Sequence, residues 1–160
     1  MSHPTRSVIA TLVIAASVAV ASPSLAESNR VVHTATGSGH VTTADELRTF
    51  SFTARLYEDG TATGMAQVNS RSLDTIVQMR IDCLAVDGNT AHLSGFVTRS
   101  SNPVEAPLGD RRRFVVRDNG EGADGPDEIS TIPRNPAGET CNDSTLVPTR
   151  LVESGNVQVR

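Results

Sequence analysis

Lysine and tryptophan are absent from this sequence, and tyrosine occurs once beside four phenylalanines. The missing lysine removes whole classes of chemistry: no Schiff base, no lysine general base and no Walker-type phosphate cradle can be built. All 14 basic residues are therefore arginines, the pattern of a GC-rich, bacterial coding sequence. The scarcity of aromatics predicts a thin, aliphatic core. No GxSxG elbow and no zinc-protease helix signature occurs, so nucleophilic and zinc-hydrolase chemistry has no foothold. A carboxylate pair assembled in space, as in glycoside hydrolases, ranks last among the functional readings.

Long apolar runs are also missing, with one exception. A short polar start, Met1 to Arg6, precedes "VIATLVIAASVAVA" (Val8 to Ala21), and small residues follow at Ser24 and Ala26. That is the layout of a secretory signal, with cleavage expected after Ala26. The apolar run is shorter than the roughly 20 residues that span a bilayer. The expected organisation is a cleaved signal at 1–26 and a single secreted β-domain at 27–160, extracellular or in the cell envelope, with no membrane span. The expected mature chain carries thirteen arginines against eighteen acids, a net −5. That balance argues against a nucleic-acid partner held by phosphate contacts.

Only two cysteines are present, Cys83 and Cys141. An even count in an exported chain predicts one disulfide between them.

Period-two alternation dominates the rest, and no sustained helical stripe occurs. In "LRTFSFTARLYEDG", Phe50, Phe52, Ala54 and Leu56 share one face. Asp59-Gly60 then predicts a tight turn into "TATGMAQVN". "DTIVQMRIDCLAVDGN" puts Val77, Met79, Ile81 and Cys83 on one face, and Asp87-Gly88 turns the chain into "TAHLSGFVTR". These two hairpins are the firmest structural reading. "RVVHTATGSGHVT" reads as a first strand with a bulge or sharp bend at "GSG"; "RRRFVVRD", "DEISTI" and "NVQV" add further strands. Ser100–Asp110 and Pro133–Pro148 read as irregular. The predicted fold is an all-β, single-domain antiparallel barrel or sandwich of six to eight strands, clipped by one disulfide. Small residues at Gly64, Ala66, Ala91 and Gly95 favour the barrel.

The segments "GSGHV", "FSFTARLYEDGTATG", "IDCLAVDGNTAHLSGFV" and "FVVRDNGEGADGPDEIS", followed by Cys141, resemble a family of small secreted bacterial β-domains that occur alone or appended to larger extracellular proteins. The likeness spans Thr36 to Cys141. It implies the fold and the disulfide, and it implies no activity and no catalytic residue.

Three side-chain groups invite a functional reading. In "RDNGEGADGPDEIS", Asp118, Asn119, Glu121, Asp124, Asp127 and Glu128 could supply oxygens to calcium. The EF-hand template fails there, because glycines occupy its alternate ligand positions, and a solvated turn ranks ahead of a calcium loop. Arg111, Arg113 and Arg117 form a basic strand that could bind an anion; an edge strand using charge against sheet-to-sheet pairing ranks ahead. His33, His40 and His92 could join a metal site only if "GSG" bulged to bring the first two onto one face. The leading functional expectation is a non-catalytic extracellular or envelope-associated binding or structural module, with an unidentified ligand or protein partner. Its expected surface is the acidic loop beside the arginine strand. A small-ligand barrel, with or without calcium, is the alternative.

Overall fold

The computed structural model describes residues 29–43, 46–120, 125–133, 138, 140–142 and 147–160. The expected signal segment, 1–26, lies outside them, as do Glu121 and Asp124. Nine antiparallel strands form one sheet: β1 (Val31–Thr43), β2 (Glu46–Tyr57), β3 (Ala62–Ser70), β4 (Thr75–Asp87), β5 (Thr90–Ser100), β6 (Arg111–Arg117), β7 (Glu128–Ser130), β8 (Thr149–Leu151) and β9 (Ser154–Val159). The spatial order is β8-β7-β6-β5-β4-β3-β2-β1-β9. The sheet curls into a half-barrel, with nine strands in place of six to eight. Three-residue β8 is too short to leave an alternation in the sequence. Among the described residues no helix is long and apolar enough to cross a membrane.

Both predicted hairpins form, and their turns follow from their residues. Gly60 (φ 81°) follows Glu58 and Asp59 in a loop closed by hydrogen bonds between Tyr57 and Thr61 and between Gly60 and Tyr57. That is a type I turn completed by a left-handed glycine. Asp59 Oδ1 accepts from the Thr61 amide at 2.8 Å. In the second hairpin Asp87 pairs with Thr90, so Gly88 (φ 57°) and Asn89 are the two turn residues.

The structure departs from the expected arrangement at three places. Asp82 is an extra residue between Ile81 and Cys83, which pair with Gly95 and Ser94. This bulge turns Cys83 out of the interior, while Ile81 and Leu84 on either side are buried inside. The outward sulfur bonds to Cys141, and Thr140, Cys141 and Val147 lie beside Val115 on the outer face. In β1 the expected bulge at "GSG" does not form. Pairing with β2 runs unbroken from His33 to Thr43, and the irregularity sits at Val32. The glycines instead make room: a Cβ on Gly37 would stand 2.7 Å from Phe52 Cε1. Gly39 pairs with Gly155 (φ +124°), where a Cβ on either would strike the partner strand's backbone. Finally, β6 lies between β5 and β7, so the arginine run is not on an edge strand.

The core is less aliphatic than composition implies. Three of the four phenylalanines are buried in one cluster: Phe52 meets Phe114 edge-on at 5.5 Å and stacks against Phe50 at 6.2 Å. Ala35, Met79, Leu93, Val116 and Val157 pack with them. Aromatic pairs of this kind add roughly 1 kcal/mol beyond the area they bury.

Candidate functional site

A pocket of about 180 Å³ opens at one end of the half-barrel, opposite the Gly60 and Gly88 turns. It is built by the same inward faces that make the core, carried one or two residues further along each strand. Phe50 pairs with Val68, Val68 with Val77, and Ala66 with Met79, which together form an apolar floor. At the next inward position each strand turns polar: Thr43 pairs with Glu46, Arg48 with Ser70, and Ser70 with Thr75. Ala106, Arg112, Ser130 and Ile132 complete the far wall. Above the apolar floor stands a polar ring.

Both arginines of that ring are paired. Glu46 accepts from Arg48 Nε at 3.1 Å and Nη2 at 2.9 Å, and from the Ser70 hydroxyl. Burial pushes the Glu46 carboxyl up, but hydrogen bonds from Arg48 and Ser72 and the Arg48 charge together hold it below its ordinary value. Across the pocket, Arg112 is 9% exposed, pairs with Asp110 at 3.2 Å, and donates to the Glu105 carbonyl at 2.8 Å. The hydroxyls are mostly committed as well. Thr75 donates to the Leu73 carbonyl at 2.8 Å, and Ser130 donates to the Thr131 carbonyl at 2.8 Å while accepting from the Val115 amide at 2.9 Å. Thr43 differs: its hydroxyl is buried in the pocket wall, 6% exposed, with no hydrogen-bond partner among the described residues.

The acidic segment lies at the other end, and two of its carboxylates, Asp118 and Asp127, bind the backbone of β9. Asp127, 6% exposed, accepts from the Asn119 amide at 3.0 Å and from the Val157 amide of β9 at 2.6 Å. Asp118 accepts from the Val159 amide of β9 at 2.9 Å and from the Gly120 amide at 3.0 Å. Strand β9 is hydrogen-bonded to β1 on one side; on the other, these two side chains take the place of a neighbouring strand. Asn119 donates to the Pro126 carbonyl at 2.8 Å. Glu128 accepts from Thr149 and pairs with Arg117 at 3.2 Å. The hydrogen bond from the Thr149 hydroxyl, aided by the charge of Arg117, outweighs burial and lowers the Glu128 pKa.

The arginines part company. Arg111 forks onto Asp82 at 3.0 and 3.2 Å and lies 4.5 Å over the Phe96 ring, on the outer face. Arg113 is also outside, opposite Ser94 and beside the disulfide. Arg117 pairs with Glu128 of the acidic segment. His33 and His40 stay on opposite faces of β1, His92 is on the outer face of β5, and no group of three metal-ligating side chains gathers among the described residues.

The pH dependence has a definite sign. Glu46 and Glu128 have folded-state values below the ordinary 4.5, so the unfolded chain takes up their protons first. Their contribution to stability is complete above pH of about 4.5 and lost as pH falls through the lower folded values. The thermal midpoint is expected to fall between pH 6 and pH 3, and Glu128→Gln should make that fall shallower. An unchanged slope in the variant refutes the assignment.

The pocket residues Thr43 and Arg48, and Glu46 beside them, were not among the residues singled out from the sequence. A signal existed: the face of Phe50 and Phe52, extended backward by twos, runs through Arg48 and Glu46. Charged residues at inward positions near a strand's end mark a pocket mouth.

Comparison with family models, with curated proteins and with solved structures finds no match to this chain.

Proposed function

We propose that this chain is an exported, non-catalytic β-domain that binds a small molecule in the open end of its half-barrel. The observation that carries the reading is the polar ring over an apolar floor around about 180 Å³. Binding sites characteristically combine a concave apolar surface with a few placed polar groups. The volume suits a ligand of about one ring: an engineered apolar cavity of about 150 Å³ in another protein holds benzene. The acidic segment is the weaker candidate, because four carboxylate oxygens of Asp118 and Asp127 accept backbone amides, two of them from β9. The Cys83–Cys141 bond supports the exported part of the reading, because disulfides persist in oxidising compartments.

The test is a fragment titration of the mature chain followed by amide NMR. Saturable shifts are expected at Phe50, Ala66, Val68 and Met79. The pocket-filling variants Ala66→Leu and Ala106→Leu should remove those shifts, and at least one should keep the wild-type thermal midpoint. Fragments that perturb the acidic segment or the outer face while leaving the pocket amides unmoved overturn the reading.

A further inference from the structure

We infer that the pocket selects a neutral, ring-sized molecule bearing a single hydroxyl or carbonyl, and that the Thr43 hydroxyl is its anchor. This rests on the small-ligand reading above and adds the chemistry of the ligand.

Three features of the wall lead there. First, both arginines of the cavity wall are already neutralised at close range, and the third charged residue of the wall, Glu105, is exposed to solvent. Glu46 holds Arg48 at 2.9 Å, and Asp110 holds Arg112 at 3.2 Å. An ionic ligand must break one of these pairs or be desolvated beside it, and removing a charge from water without a partner is costly. Second, the floor of Phe50, Ala66, Val68, Val77 and Met79 offers only apolar contact. A ligand with several polar groups would leave most of them unsatisfied there. Third, the Thr43 Oγ1, a buried hydroxyl of the wall, lacks a partner among the described residues. A hydroxyl can both donate and accept, so it serves a ligand hydroxyl or carbonyl equally. A buried polar group without a partner is costly and uncommon, and a ligand head group beside Thr43 removes that cost. The ring of the ligand then lies over Phe50 and Met79 with its polar head at the mouth.

The experiment uses the mature protein, labelled with ¹⁵N, at pH 7, and four probes sharing one ring: benzyl alcohol, toluene, benzoate and benzylammonium. Benzyl alcohol is expected to bind with saturable shifts at Thr43, Phe50 and Met79, roughly fivefold more tightly than toluene, the value of one neutral hydrogen bond. Both ions should bind more weakly than either neutral probe. Thr43→Val should reduce benzyl alcohol to the affinity of toluene and leave toluene unchanged, which also shows that the variant is folded. Tighter binding of benzoate or benzylammonium at the same amides overturns the ligand class and leaves the pocket reading standing. An unchanged benzyl alcohol affinity in Thr43→Val overturns the anchor. If none of the four moves a pocket amide, the proposed chemistry fails, and the broader fragment titration decides separately whether the pocket binds anything.

Discussion

Replacing Asp127 by alanine is expected to cost about 4 kcal/mol of stability, from the loss of two hydrogen bonds between a buried carboxylate and backbone amides at roughly 1.5–3 kcal/mol each. The carboxylate joins the Asn119 amide to the Val157 amide, so its loss unfastens both the 118–127 segment and β9. Domains of this size are stable by only about 5–15 kcal/mol, so a single truncation should consume a large part of the total. Asp127→Asn keeps one acceptor oxygen and should lose about half as much. The local signature is as informative as the midpoint: hydrogen exchange at Val157 and Val159 should accelerate far more than exchange at Leu93 or Met79 in the barrel wall. A loss below about 1 kcal/mol, or uniform acceleration across the sheet, would refute the idea that side chains take the place of a strand at this seam.

Breaking the Cys83–Cys141 bond is the other large effect. It closes a loop with a sequence separation of 58, for which chain entropy gives about 4 kcal/mol. The double variant Cys83→Ala/Cys141→Ala should show that loss in denaturant unfolding, and reducing agent should lower the wild-type midpoint toward the variant's. The structural consequence is specific, because the bond ties Cys141 to the outer face of β4. Val115, beside Thr140, Cys141 and Val147, should become accessible first, while the Phe50–Phe52–Phe114 cluster stays protected. A midpoint unaffected by reduction would mean that Cys141 is held there by other contacts.

How much of this was legible beforehand depended on whether the cause was local. The two turns were readable because Gly60 and Gly88 meet a requirement that neighbouring residues alone create. The bonded pair of cysteines was readable from parity and compartment. The face of Cys83 was not, since a single extra residue reverses every later side chain and Asp82 carries no mark of being that residue. The glycines of "GSG" were read as bending the strand, when they accommodate Phe52 and the backbone of β9, elements far away in sequence. The acids of the 118–128 segment looked like metal ligands or solvated turns. The engagement of Asp118 and Asp127 with β9 depends on how the sheet curls, which no local pattern encodes. The pocket lay between these cases: its charged wall follows from alternation, but its volume follows only from the curl.

The position of β9 also bears on how the molecule is made. Ala35 pairs with Val159 across nearly the whole described sequence. As the polypeptide emerges, β1 therefore has β2 on one side and lacks its other neighbour until β9 has also been made. An unoccupied strand edge invites pairing with other chains, and contacts between distant residues form slowly. Any delay in delivering β9 lengthens the interval in which β1 can recruit a neighbouring molecule. Yield in overexpression should therefore be more sensitive to changes in β9 than to equally destabilising changes in the β2–β3 hairpin.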